Sequence, residues 1–175
     1  LEFRRVLFRS DVVVITRADT KKEYEDFKSC VEKYTNAPIF WAKTQLVNWR
    51  NQNNEIYDIT VHEKVGLFCG IGNPKGFFHF VQQQGLVSVA TKTAQDHKGL
   101  SVDEVAKFFE VAKASGADVL ICTEKDIVRF RNEFPFPVVW PEIHLEIEEK
   151  KEFQDLVSIW KKQVTSRLVG CHEFL

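Results

Sequence analysis

The sequence predicts an α/β fold in which a layered, mostly parallel sheet is flanked by helices. Short apolar, β-branched runs alternate with segments whose apolar residues recur at helical spacing, and helix-capping signals stand between the two kinds of segment. Strands that alternate with helices favour parallel pairing through right-handed crossovers. One stretch departs from this alternation and predicts an inserted two-stranded hairpin.

The composition is that of an ordinary globular protein. Of the 175 residues, 44% are hydrophobic and 28% are charged, and the formal net charge is −1. This balance gives no reason to expect nucleic acid as a partner. The four cysteines are far apart and form no C-x-x-C pair, which argues against a metal site. Two of them lie in apolar strand-like runs, which predicts buried, reduced thiols. None of the apolar runs reaches the roughly 18 residues of a membrane-spanning helix.

The first third of the chain predicts one strand and helix followed by the hairpin. Residues 11–16 form a short run that is mostly β-branched, which predicts a strand. Thr20 with Glu23 then forms a capping box that opens a helix. A strand is expected again at residues 39–42. In residues 44–62, a polar tip separates two apolar arms, which is typical of a hairpin.

A buried strand that runs directly into a helix is predicted in the middle of the chain. The apolar run that starts at Val65 ends in Gly70, Gly72, Asn73 and Pro74. Glycine permits positive φ or close backbone approach, and Asn-Pro supplies an N-cap followed by proline at N1. Further strands are predicted at residues 86–90, 118–122 and 138–147, with helices that open near residues 101 and 151.

Three loops leave predicted strands at one edge of this sheet, where ligands of open α/β sheets bind. They are residues 70–74, 91–97 and 123–126. The first loop could offer helix N–H groups to an anion. However, Lys75 stands where the G-x-G-x-x-G pattern needs glycine, and G-x-x-x-x-G-K-[ST] does not occur in the chain. Taken alone, the first loop is therefore interpreted as structural.

The other two loops carry candidate side chains. Asp96 and His97 place a carboxylate beside an imidazole, which can orient or tune a catalytic group near neutral pH, although a solvated polar loop is the alternative.

Thr123-Glu124-Lys125-Asp126 matches the helix-capping pattern [ST]-x-x-[DE]. Capping accounts for Thr123 and Asp126. Glu124 and Lys125 are left to contact a ligand or to form an ion pair.

Together these motifs resemble the tetraacyldisaccharide 4′-kinase family of lipid A biosynthesis. The ordered set consists of Gly70-Ile71-Gly72-Asn73-Pro74, Phe77-Phe78, Asp96-His97 and Thr123-Glu124-Lys125-Asp126 with Val128-Arg129. The likeness extends from about Arg9 to Trp160 and covers roughly the C-terminal half of a family member. Members often have a second histidine after Asp-His, where this chain has Lys98.

The resemblance implies a two-lobed, P-loop-type kinase with a Rossmann-like C-terminal lobe. Such an enzyme transfers the γ-phosphoryl group of ATP, with Mg²⁺, to the 4′-hydroxyl of tetraacyldisaccharide 1-phosphate, a lipid A precursor. It would do so in peripheral contact with the cytoplasmic face of the bacterial inner membrane. In the family, the P-loop, the metal-binding acids and the aspartate base lie in the N-terminal lobe. This sequence contains none of them, so the chain alone is expected to be inactive.

The resemblance also implies site roles and lobe boundaries. Asp96 and His97 correspond to the family's Asp-His motif, whose histidine partners the aspartate base. Gly70, Gly72 and Asn73 would line the cleft, and residues 123–126 would brace it. The implied organisation is a doubtful non-native or truncated leader (1–10), the end of the N-terminal lobe (11–43), a hairpin linker (44–62) and a C-terminal α/β lobe (63–175).

Two other classes of function are open at this point. One is a non-catalytic α/β module that binds an anionic or nucleotide ligand at the glycine turn, and tight nucleotide binding by the chain alone would favour it. The other is an interaction domain, which a polar sheet edge without a pocket would favour.

Overall fold

The computed structural model describes residues 2–62, 64–94, 99–130 and 134–171, with the backbone alone for 2–4 and 164–171. The α/β fold class is confirmed. The helices and strands in chain order are α1 Glu2–Phe8, β1 Val13–Ile15, α2 Lys21–Val31, β2 Ile39–Asn51, a 3₁₀ turn Ile59–Val61, β3 Lys64–Cys69, α3 Pro74–Gln83, β4 Val87–Thr93, α4 Val102–Ala114, β5 Leu120–Ile121, α5 Glu124–Ile127, β6 Val138–Ile147 and α6 Lys150–Cys171.

The chain forms two compact units. The terminal unit contains Leu1–Gln45 and His144–Leu175, and the central unit contains Leu46–Ile143. Strands β2 and β6 contribute residues to both units. The leader, the hairpin linker and the two lobes proposed at residues 1–10, 11–43, 44–62 and 63–175 stay predictions.

The sheet of the central unit follows from its apolar runs. Its strands lie in the order β4-β3-β5-β6, with β2 beside β6, and the pairs β3–β4, β3–β5 and β5–β6 are parallel. Alternate residues of β3 enter different hydrophobic clusters, with Leu67 and Cys69 in one and Phe68 in the other. All three side chains are buried. The predicted strand with two buried faces is confirmed.

One helix covers each face of this sheet. Helix α3 places Phe77 and Val81 in the cluster that contains Leu67, and α4 places Val105 and Phe108 in the cluster on the other face. The predicted caps are present as well. Asn73 accepts a hydrogen bond from the backbone of Gly76, Pro74 lies in the first turn, and Ser101 and Glu104 form a capping box.

The hairpin is present but its return arm is short. Strand β2 is continuous, so the strand predicted at residues 39–42 and the first arm of the hairpin are one element. The return arm makes a single antiparallel bridge between Arg50 and Ile56. The chain then turns because Asp58 Oδ1 accepts hydrogen bonds from the backbone and hydroxyl of Thr60, which opens the 3₁₀ turn.

The terminal unit has a small aromatic core. Strands β1 and β2 pair in parallel, with Val13 opposite Ile39. The Tyr24 and Trp41 rings stack with centroids 5.1 Å apart, and Trp41 Nε1 donates to the Ala18 carbonyl at 2.9 Å.

The predicted capping box of α2 is confirmed. Phe27, three residues after Tyr24 in that helix, is 53% exposed. The buried face follows Tyr24 and Val31, which are seven residues apart, and Phe27 lies at its margin.

No helix in the part of the chain that the structure describes has both the length and the apolar character needed to cross a membrane.

We predict that Gly66→Ala destabilises the central unit. A Cβ at this position would lie 2.5 Å from Leu120 Cδ2 and 2.8 Å from Ala112 Cβ. Such overpacking of a core costs about 1–3 kcal/mol, which urea denaturation would measure. Gly72→Ala is the matched control, because a Cβ at residue 72 meets nothing within 4 Å. Equal urea midpoints for the two variants would contradict the packing described here.

We also predict that Tyr24 makes the stability of the protein depend on alkaline pH. Burial, and then the negative charge of Glu149, raise the pKa of Tyr24 to about 12 from an ordinary value of 10.0. The stability that this provides is fully present below pH 10 and is lost as the pH rises to about 12. Urea denaturation across this range should therefore show a steeper loss of unfolding free energy for the wild type than for Tyr24→Phe. Parallel pH profiles would refute this.

Candidate functional site

The three predicted loops meet at the carboxyl edge of the central sheet. The Gly70 N–H, just after β3, donates to both carboxylate oxygens of Asp126 in α5, at 3.1 Å each. The Ala94 N–H, just after β4, donates to the Cys69 carbonyl at 3.0 Å. A Cβ on Gly70 would lie 3.3 Å from Gly99 Cα and 3.5 Å from Ala94 Cβ. The exits of β3, β4 and β5 are therefore in contact.

Asp126 holds a buried carboxylate at the centre of this edge. Asp126 is 3% exposed, and among the described residues it is the one charged residue that is buried. The Thr123 hydroxyl donates to Asp126 Oδ2 at 2.6 Å and accepts from the Asp126 N–H at 3.3 Å. Burial of a carboxylate is costly unless hydrogen bonds replace its water. This carboxylate is thus directed at the protein's own backbone and hydroxyl groups.

The predicted cap at Thr123 is confirmed, and the third loop also makes a long-range contact through Asp126. Thr123 caps α5 as its pattern indicates. Asp126 in addition reaches a different strand, through bonds to a residue 56 positions away. Glu124 and Lys125 are exposed at the same edge.

The glycines of the first loop differ in what they do. Gly70 allows a close approach, since a Cβ there would lie 3.0 Å from Asp126 Oδ1 and the carboxylate would have to move by a few tenths of an ångström. Gly72 is exposed, with open space around its Cα. Asn73 is also exposed and caps α3 through its side-chain oxygen. Packing at Gly70 and capping by Asn73 account for the conformation of the first loop, which agrees with its interpretation as structural.

The central part of the second loop, residues 95–98, lies outside the described residues, so the structure gives no placement for Asp96 and His97. The residues on either side of this segment, Ala94 and Gly99, have defined contacts. Ala94 is bonded to the end of β3, and Gly99 has a φ of 74° and lies against the Arg129 side chain. Any Cβ on Gly99 would overlap the Arg129 guanidinium.

Gly99 and Arg129 were not among the predicted site residues. The sequence nevertheless contains a feature that points to each of them. Arg129 follows Asp126 by three residues, which places both on one face of a helical turn. Gly99 ends the polar loop just before the capping box at Ser101, where a positive φ is common.

The charge of Asp126 also affects two buried thiols. Burial raises the pKa of Cys69, and the negative charge of Asp126 raises it further. Burial and then the same charge hold the pKa of Cys122 well above its ordinary value. Both thiols are free and protonated at neutral pH, which makes them poor nucleophiles.

A second aspartate–histidine pair lies at the opposite, amino edge of the central sheet. His62 Nδ1 is 2.7 Å from Asp118 Oδ1, and His62 Nε2 is 2.8 Å from the Tyr57 hydroxyl. These residues precede β3 and β5 and tie the 3₁₀ turn to the start of β5. This geometry gives His62 a structural role.

Two features that commonly hold Mg²⁺ and nucleotide phosphates do not occur in the part of the chain that the structure describes. The described residues contain no group of three His, Cys, Asp or Glu side chains that could hold a metal ion. The sequence lacks the phosphate-binding G-x-x-x-x-G-K-[ST] loop. Asp126, the buried acid nearest the glycine turn, already has Gly70 and Thr123 as partners.

Comparison with known proteins agrees with the resemblance. The family model described as tetraacyldisaccharide-1-P 4′-kinase matches residues 2–160. The tetraacyldisaccharide 4′-kinase of Desulfotalea psychrophila is 30% identical over 141 residues, which are 77% of this chain and 40% of that protein. The enzyme of the same name from Halothermothrix orenii is 27% identical over 142 residues, 73% of this chain and 37% of its own length.

A solved structure shares the fold. LpxK from Aquifex aeolicus, crystallised in complex with ATP, superposes with a TM-score of 0.55 at 18% identity, covering 88% of this chain and 44% of that one. The chain thus spans about 40% of the length of the relatives named here. Since the family match extends over most of its residues, the chain belongs to the tetraacyldisaccharide-1-P 4′-kinase family.

Proposed function

We propose that this chain carries the Asp96-His97 loop of an ATP-dependent tetraacyldisaccharide 4′-kinase. The enzyme would transfer the γ-phosphoryl group of ATP to the 4′-hydroxyl of tetraacyldisaccharide 1-phosphate. The observation that carries this proposal is the family match over residues 2–160. The contact between the three strand exits supports it, because it gives the Asp96-His97 loop fixed ends at Ala94 and Gly99.

In this proposal the chain supplies positioning and a separate P-loop lobe supplies the nucleotide site. Phosphoryl transfer needs in-line placement, charge neutralisation and a group that orients the attacking hydroxyl. His97 would partner an aspartate base on the nucleotide-binding lobe and set its protonation and geometry. ATP and Mg²⁺ would be bound by that lobe, and without it the chain would be inactive.

The remaining predicted residues have roles at the edge of the cleft. Gly70, Gly72 and Asn73 would form one wall, where an exposed helix start faces the ligand. Glu124 and Lys125 are exposed at the same edge and can contact the ligand or the other lobe. The acceptor is a lipid, so we propose that the enzyme works in peripheral contact with the cytoplasmic face of the bacterial inner membrane.

The test is a kinase assay with the nucleotide-binding lobe supplied. The chain is fused to the N-terminal lobe of the Desulfotalea psychrophila relative and assayed with ATP, Mg²⁺ and the lipid acceptor, with phosphorylated product measured by mass spectrometry. Loss of a group that tunes general-base chemistry costs about a hundredfold or more in kcat, so His97→Ala should lower kcat by that order.

His79→Ala is the matched control, because His79 is exposed on α3 and bonds to Gln83 in the same helix. Undiminished transfer by the His97→Ala variant would remove that residue from the mechanism. A fusion with no transfer activity at all would count against the proposed function itself.

Calorimetric titration of the unfused chain with ATP separates this proposal from its alternative. We expect no tight binding, because the sequence lacks the phosphate-binding G-x-x-x-x-G-K-[ST] loop. Tight binding in the absence of a P-loop lobe would instead favour a non-catalytic binding module.

A further inference from the structure

We infer that Asp126 is the positioning residue of the carboxyl edge, and that it acts together with Arg129. Asp126 fixes the exit of β3 through Gly70, and Arg129 fixes the approach to α4 through Gly99. The short helix α5 and the turn after it thereby fix the positions of the loop after β3 and the loop before α4. The catalytic consequence of this inference rests on the proposed function, whereas the structural role of Asp126 can be tested without it.

The contacts of Asp126 go beyond what a helix cap requires. Thr123 already caps α5 by accepting the bond from the Asp126 N–H. The carboxylate reaches a separate strand, where both oxygens lie 3.1 Å from the Gly70 nitrogen. Hydrogen bonds to an ionised acceptor are about twice as strong as neutral ones. A carboxylate at 3% exposure therefore ties Gly70 more firmly than a neutral side chain could.

Arg129, in the turn that follows α5, acts on the second loop. Its guanidinium occupies the space next to Gly99 Cα, where a side chain would otherwise project. The Gly99 backbone has a φ of 74°, a conformation that glycine adopts without strain. Gly99 follows His97 by two residues, so this contact fixes the chain close to the predicted catalytic histidine.

The Asp126–Gly70 and Arg129–Gly99 contacts are next to each other, because Gly70 and Gly99 are neighbours in space. A Cβ on Gly70 would lie 3.0 Å from Asp126 Oδ1 and 3.3 Å from Gly99 Cα. The backbone after β3 and the backbone before α4 are therefore packed directly against each other. A change in the Asp126 contact should shift the Gly70 turn and, through Gly99, the end of the Asp96-His97 loop. Displacements of about 1 Å are enough to cost a hundredfold in rate.

The first experiment measures the contact itself in the 175-residue chain. Amide hydrogen exchange of Gly70 is followed by NMR in the wild type, Asp126→Asn and Asp126→Ala. Asp126→Asn keeps the shape of the side chain and removes its charge, and Asp126→Ala removes the acceptor. Asp103→Asn is the control, because Asp103 is an exposed acid in the first turn of α4.

We expect Gly70 exchange to accelerate by about tenfold or more in Asp126→Ala and less in Asp126→Asn. The control should match the wild type. Gly70 exchange that is unchanged in Asp126→Ala would overturn the inference. If Asp126→Ala fails to fold, the comparison of Asp126→Asn with Asp103→Asn decides in the same way.

The second experiment measures the consequence for catalysis in the lobe fusion. Asp126→Asn and Arg129→Ala should each lower kcat by about tenfold or more while KM for ATP stays constant, because ATP is held elsewhere. A purely stabilising role would leave kcat per folded molecule unchanged. Faster Gly70 exchange together with a kcat equal to that of Asp103→Asn would therefore overturn the positioning role.

The failure of this inference is distinguishable from the failure of the proposed function. A wild-type fusion without kinase activity refutes the proposed function, and the catalytic consequence for Asp126 fails with it. The exchange measurement on the unfused chain still decides whether the carboxylate holds Gly70.

Discussion

The hydrogen bonds between the Gly70 N–H and the Asp126 carboxylate are the constraint on which the candidate site depends. They join the exit of β3 to α5 across 56 residues of sequence. A buried carboxylate is tolerated here because backbone and hydroxyl donors replace its water. Glycine at residue 70 favours this contact because a Cβ would crowd the oxygen that accepts the bond.

Packing explains how so short a helix as α5 can organise three loops. Asp126 in α5 and Arg129 in the turn after it each meet a glycine. Glycines allow the backbones of Gly70 and Gly99 to approach each other closely. Below them, Phe68, Leu120 and Cys122 form a continuous core with α4. The loops are therefore carried on a rigid base, which is the arrangement that catalytic and binding loops require.

The proposed division of roles between this chain and a P-loop lobe rests on the features that this chain has and lacks. The chain's membership of the family is clear from the match over residues 2–160. The described residues contain no group of three His, Cys, Asp or Glu side chains that could hold a metal ion, and the sequence has no G-x-x-x-x-G-K-[ST] loop. What the chain offers is a sheet edge with fixed loop ends and exposed polar residues such as Glu124 and Lys125. We propose that the chemistry takes place where this edge meets a P-loop lobe.

Local sequence determined the helices and strands of this protein, and tertiary structure decided which distant residues their side chains contact. Capping boxes at Thr20 and Ser101 and the apolar run from Val65 were predictable because each pattern is complete within a few residues. The meeting of three loops was predictable from topology, since the carboxyl ends of parallel strands share an edge. The bond from Asp126 to Gly70 was not, because capping satisfies the local pattern around Asp126 equally well. Only the fold brings the partner residue within reach, because a contact between distant residues leaves no periodic or spacing signal in the chain.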